Sequence, residues 1–238
     1  MLVIAHRGAS AEAPENTLAA LERAIACGAN GIEIDVYYVD GEIFVFHDRY
    51  LERLTAHPGR LIDLTASQVQ TLRVFNQQPV PTLRQALACI NGRCMLNIEL
   101  KGQVPIDALI AHLDSACNEY HFSPNQLIVS SFNHHWLQDA KQALPWLHIG
   151  ALSTGCMLDY ARFATELQAY SVHTCVDFIE PALVRDAHQR DLRIYVYTVD
   201  AAHDIQMLLE MGIDGIFTNH PQHALNVIHE HSGNHARN

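Results

Sequence analysis

The sequence predicts a (β/α)₈ barrel, an α/β fold, and three observations carry that expectation. Short apolar runs alternate with amphipathic stretches from one end of the chain to the other. Eight such runs can be counted, and strands separated by helices pair in parallel. The 238 residues also fall within the roughly 200–250 that one α/β barrel uses. An open doubly wound sheet is the alternative, weakened because no G-x-G-x-x-G follows the first strand.

The first strand is read at 2–5. Residues 17–27 then put Leu18, Leu21 and Ile25 on one helical face, with Asn16 as N-cap and Gly28 as the stop. A second strand at 31–36 runs on into Tyr37-Tyr38-Val39, turns at Asp40-Gly41 and returns as 42–46, the strongest hairpin signal in the chain. Residues 49–80 are mostly polar and irregular, with one weak helix at 67–72. Residues 37–80 are therefore expected to form a small insertion after strand 2, too short to hold a convincing core, inside a single domain spanning 1–238. Further strands are expected at 95–100, 126–131, 148–152, 171–175, 192–198 and 214–217. Between and after them come helices at 105–120, 134–144, 158–170, 181–190, 201–211 and 222–231, with Pro105, Pro181 and Pro221 near helix starts, where a missing N–H costs least. Residues 232–238 read as a frayed polar tail.

Composition removes several functions. Fifteen Lys+Arg against 26 Asp+Glu leave a net charge of −11, which opposes the basic face needed for phosphate backbones or anionic lipid. Neither nucleic-acid binding nor stable membrane association is expected. No apolar run approaches the roughly 18 residues of a membrane span and the first residues lack a basic export signature, so a cytoplasmic location is expected. Six cysteines without a C-x-x-C read as inert thiols of a reducing compartment. Five histidines crowd the last twenty residues, but their spacing favours a solvated tail over a metal site. The oligomeric state is not legible in the sequence.

Barrel active sites form where strands end at the carboxyl face, and polar residues are abundant there. Strand one ends in His6-Arg7-Gly8, strand two carries Glu33 and Asp35, and strand three holds Glu99 and Lys101. Residues i and i+2 share a strand face, so each pair points together if Ile34, Ile98 and Leu100 pack outward. Three buried carboxylates without a cation would cost several kcal/mol each or rise in pKa, and a divalent ion resolves this. Oxygen-only ligands favour Mg²⁺ or Ca²⁺, with Mn²⁺ also accommodated. The competing reading is a structural ion network, less favoured because two pairs stand on adjacent strands. Strict hairpin register would place Ile34 opposite His47 and put the His47 side chain on the wrong face, so a bulge or a departure from pairing is expected near Phe46. His6 and His47 would then flank the ion as general acid and base, with Arg7 and Lys101 suited to phosphate and Gly8 allowing close backbone approach to a ligand.

Several motifs resemble the glycerophosphodiester phosphodiesterase family, in particular its small cytoplasmic bacterial members. They are His6-Arg7-Gly8, Pro14-Glu15-Asn16-Thr17, Ile32-Glu33-Ile34-Asp35-Val36, His47-Asp48, Pro81-Thr82-Leu83, Asn97-Ile98-Glu99-Leu100-Lys101, Ser131-Phe132 and the closing 212–218 run. The resemblance implies a TIM barrel with a divalent cation on Glu33, Asp35 and Glu99, acid/base work by His6 and His47, and phosphate contacts from Arg7 and Lys101. It further implies a small soluble glycerophosphodiester substrate, with sn-glycerol 3-phosphate and an alcohol as products. Glu15, Phe132 and Tyr197 are candidate substrate-pocket residues. The chain departs from the family pattern at Tyr197, where Trp is common, and at Asn219, where Asp is usual. The nucleophile is either water or the substrate's own 2-hydroxyl. Two rival functions are a lysophospholipase D-like activity on the same barrel and a non-catalytic phosphometabolite-binding barrel.

Overall fold

The computed structural model describes residues 1–235. Strands β1 (Leu2–His6) and β2 (Gly31–Val39) flank helix α1 (Leu18–Ala26), and β3 (Glu42–Val45) returns along β2. The inserted segment continues through α2 (Ala66–Thr71) and a two-stranded ribbon, β4 (Arg73–Val74) and β5 (Gln78–Pro79). Helix α3 (Leu83–Ile90) leads into β6 (Met95–Leu100), followed by α4 (Ile106–Asn118), β7 (Leu127–Ser131), α5 (His134–Ala143) and β8 (His148–Ser153). Then come α6 (Arg162–Glu166), β9 (Ser171–Cys175), α7 (Pro181–Gln189), β10 (Arg193–Tyr197), α8 (Ala202–Met211), β11 (Gly215–Thr218) and α9 (Pro221–His235).

The order β1-β11-β10-β9-β8-β7-β6-β2 is parallel throughout, and a further β1–β2 pairing closes it into the expected eight-stranded barrel. Outward side chains such as Ile34, Ile98, Val129 and Ile194 pack with helical Leu21, Leu87, Leu113 and Leu208 in one continuous core. The interior below the mouth holds Ile4, Ile128, Tyr195 and Phe217. Burying apolar side chains on both faces is what lets parallel strands read as near-continuous apolar runs.

Local chemistry adjusts several expected boundaries. Thr17, not Asn16, caps α1: its Oγ1 accepts from Ala20 N–H at 3.4 Å, while Asn16 takes a left-handed φ of 57°. Helix α3 has no counterpart in the sequence reading, although Thr82 and Gln85 form a capping box at its start. The helix expected over 158–170 shrinks to Arg162–Glu166, preceded by turns. The tail expected to fray is helical as far as His235, and its last three residues lie outside the described residues.

The insertion holds a core after all, against the expectation that it is too short for one. Tyr37, Val39, Phe44, Phe46, Leu51, Leu54, Leu61, Val69, Leu72, Val74 and Val80 form an apolar cluster separate from the barrel's. The hairpin aromatics supply its bulk, which periodicity alone underrates because they alternate with residues facing the barrel. Gly8 also differs from expectation. Its φ is +79°, and a Cβ there would lie 2.6 Å from the Ala20 backbone carbon, so the constraint is packing of the loop onto α1. Gly8→Ala is expected to cost about 3 kcal/mol or more, read as a fall of roughly 6–12 °C in Tm.

Candidate active site

The strands deliver their polar residues to one end of the barrel. Glu33 pairs in register with His6 on one side and Asn97 on the other, and Asp35 pairs with Glu99. Glu33, Asp35 and Glu99 are all buried, and each offers a carboxylate oxygen lying within 4.8 Å of the others. A cavity of about 140 Å³ opens above them. His6, Arg7, Glu33, His47, Glu99, Lys101, Phe132 and Tyr197 all line it. Glu15 does not: it lines a shallower depression beside the mouth and stands behind Arg7, whose Nη1 donates to it at 2.7 Å.

His47 reaches the cavity as the sequence required, by departure from pairing and not by a bulge. Phe46 N–H still donates to Asp35 O at 2.9 Å in strict register, but β3 has ended at Val45 and the chain leaves the ladder before His47. The Asp48 carboxylate then accepts a 2.6 Å hydrogen bond from His47 Nδ1.

Electrostatics mark the carboxylate cluster as a socket. Burial first, and then repulsion from Asp35 and Glu99, holds Glu33 well above the usual carboxylate range. Burial and the Asp35 charge push Glu99 up to about 7, although Lys101 Nζ lies 2.7 Å from its Oε1. Glu33 Oε2 accepts the Arg7 backbone N–H at 2.9 Å, whereas Glu33 Oε1 is buried without a partner. An orphaned, solvent-excluded carboxylate oxygen costs free energy unless something meets it. A hard divalent cation on Glu33, Asp35 and Glu99 fits that donor set.

The two histidines have different backing. His6 Nδ1 lies 2.8 Å from Asn219 Oδ1, while Asn219 Nδ2 donates to Asp200 Oδ2 at 2.7 Å. That second bond fixes Asn219 Oδ1 as an acceptor, so His6 carries its proton on Nδ1. Burial, reinforced by the Arg7 charge, pulls the His6 pKa down to about 4. Asn219→Asp would set a carboxylate against Nδ1 and is expected to raise the His6 pKa by about 1–2 units, shifting one limb of the pH profile of kcat/KM upward. An unchanged profile would show that His6 does not control it.

Several residues that hold the site went unnoticed as such in the sequence. Asn16 Nδ2 donates to Asp35 Oδ2 at 2.8 Å, so a residue read as a helix cap orients a carboxylate of the cluster. Asp200 orients Asn219, and Arg53 bridges Glu15 and Asp48. Asn16 at least falls within the Pro14-Glu15-Asn16-Thr17 motif, and the left-handed φ of Asn16 and of Arg7 (58°) is a property of backbone, not of pattern. Phe132 stands edge-on to Tyr197 at 6.1 Å between ring centroids, and Lys101 Nζ lies 5.7 Å from the Phe132 centroid, giving one wall an apolar face.

Residues 6–223 match the glycerophosphoryl diester phosphodiesterase family. A glycerophosphodiester phosphodiesterase of Caldanaerobacter subterraneus subsp. tengcongensis is 36% identical over 237 residues, covering 95% of this chain and 97% of that one. A phosphodiesterase of Oleispira antarctica, solved in complex with the product sn-glycerol-3-phosphate, superposes with a TM-score of 0.87 at 28% identity over 96% of both chains. A glycerophosphodiester phosphodiesterase of Thermotoga maritima gives a TM-score of 0.79 at 26% identity, covering 95% of this chain and 98% of that one. The chain belongs to the glycerophosphoryl diester phosphodiesterase family.

Proposed function

We propose that this chain hydrolyses small glycerophosphodiesters to sn-glycerol 3-phosphate and an alcohol, with Glu33, Asp35 and Glu99 holding one divalent cation, Mg²⁺ or Ca²⁺, with Mn²⁺ as a substitute. The observation that carries the metal reading is the partnerless, buried Glu33 Oε1 inside a carboxylate triad. Such an ion, when bound, supplies Lewis-acid polarisation of a phosphoryl oxygen.

The remaining chemistry belongs to the chain's own side chains. Arg7 and Lys101 line the cavity with fixed positive charge and are placed to bind phosphate oxygens, Arg7 through its planar fork. His6 is neutral with its proton on Nδ1, so Nε2 is left to accept a proton from the attacking hydroxyl. Burial also pulls the His47 pKa below its ordinary value, opposed by the Asp35 charge and then by the Asp48 hydrogen bond, both of which favour a proton there. His47 is therefore the better donor to the departing alkoxide. Phe132 and Tyr197 shape the wall against which the glycerol or alcohol rests.

The acid excess favours a small, soluble substrate over nucleic acid or a stable membrane surface, and six unpaired cysteines accord with a cytoplasmic setting. Among the described residues no helix is long and apolar enough to cross a membrane. We treat residues 1–238 as one functional domain, since the insertion contributes His47. The test is release of glycerol 3-phosphate, coupled to its dehydrogenase, over choline, ethanolamine, glycerol and inositol glycerophosphodiesters with each of the three ions. Turnover of at least one diester is expected; tight binding without release across the panel would make the protein a phosphometabolite-binding barrel instead.

A further inference from the structure

We infer that Arg53, in the inserted segment, is a positioning residue that locks the acid/base histidine and the phosphate-binding arginine into one rigid frame. The inference rests on the reading of His47 and Arg7 given above.

Arg53 makes four hydrogen bonds to two carboxylates. Its Nε and Nη2 donate to Asp48 Oδ2 and Oδ1 at 2.6 and 2.8 Å, and its Nη1 and Nη2 donate to Glu15 Oε2 and Oε1, both at 2.8 Å. Each carboxylate then reaches into the site. Asp48 Oδ1 holds His47 Nδ1, and Glu15 Oε1 holds Arg7 Nη1. The result is a continuous chain, His47–Asp48–Arg53–Glu15–Arg7, that joins the loop after β1 to the loop after β3.

Only a planar fork with donors on two edges can take two carboxylates bidentately at once, so a lysine point charge cannot replace it. The need for such a strut follows from the fold. His47 lies beyond the last ladder bond of β3, so the sheet no longer fixes it, and the insertion packs on a core of its own. Without Arg53, Asp48 keeps its reach to His47 but loses its anchor to the barrel side of the mouth. Small losses of orientation between acid, phosphate and nucleophile lower the rate steeply. Arg53 itself is half-exposed and lines neither the cavity nor the depression beside it, which separates it from residues that touch substrate.

The experiment measures kcat of the full chain for glycerol 3-phosphate release from a glycerophosphodiester that the unaltered protein turns over. Arg53→Ala is expected to lower kcat by about 10–100-fold. The same substitution added to His47→Ala should lower it by a clearly smaller factor, about two- to five-fold, because the strut then holds only Arg7 through Glu15. Methylguanidinium in the assay should restore more of the lost rate to Arg53→Ala than to the double variant. If Arg53→Ala does not fold, Arg53→Lys carries the same comparison, with an intermediate loss expected. Equal losses in the presence and absence of His47, with His47→Ala itself slow, would overturn this inference and leave the acid/base reading standing. Normal turnover by His47→Ala would bring down both.

Discussion

Alanine in place of either His6 or His47 is expected to lower kcat by about 10²-fold or more while the barrel stays folded. Each ring is held by a different partner, His6 by neutral Asn219 and His47 by ionised Asp48, and the cavity lies between them. Their chemistry is therefore unequal. The Asp48 carboxylate, which hydrogen bonds from Arg53 and then from His47 hold down at about 2, stays charged across the working range and supports a proton on His47. Loss of the donor should hurt substrates with poor leaving groups most, so His47→Ala should recover activity on a p-nitrophenyl diester, whose leaving group needs no proton, more than His6→Ala does. Equal recovery by both variants would refute the assignment of His47 as acid, and near-normal kcat in either variant would remove that histidine from the reaction.

Chelation is expected to abolish activity, with the loss reversed by adding back Mg²⁺, Ca²⁺ or Mn²⁺; full turnover in excess EDTA would refute the metal. Stability gives an independent reading. Glu33 is raised in the folded chain by burial first and by its carboxylate neighbours second. A carboxyl raised in this way binds more protons folded than unfolded, so its stabilising contribution is complete below the ordinary value of 4.5 and is lost as the pH climbs toward the folded value. Metal-free Glu33→Gln should thus melt higher than the metal-free parent at pH 8, with the gap closing toward pH 4, while added ion should raise the Tm of the parent far more than that of the variant. The amide can still accept the Arg7 backbone N–H, which keeps that bond out of the comparison.

The barrel was readable because its signal is local and repeated: each strand is a short apolar run and each helix an amphipathic one. The carboxylates were readable for a related reason, since i and i+2 spacing in a strand is itself a statement about facing. Helix α3 escaped because eight residues hold little more than two turns, and its capping box at Thr82 was the better signal. The supporting shell escaped more completely. Asn16 reaches Asp35 across 19 residues, Arg53 reaches Glu15 across 38 and Asp200 reaches Asn219 across 19, and no periodicity encodes which distant loops a closed barrel brings side by side. Asn219 stands out in the sequence only as a departure from the family pattern, not as the partner of His6. The insertion's core was underrated because its apolar residues are scattered over Tyr37 to Val80 and gather only once the hairpin folds back.

Closure of the barrel also sets the order in which the enzyme can come into being. Strand β1 lies between β2 and β11, so His6 sits on the seam where the earliest and latest parts of the sequence meet. Its partner Asn219 is 213 positions further on. A ribosome-bound chain will already have exposed His6, Glu33, Asp35, His47 and Glu99 long before that partner emerges from the exit tunnel. His6 therefore gains the partner that fixes its tautomer only after the last βα unit of the barrel has been made.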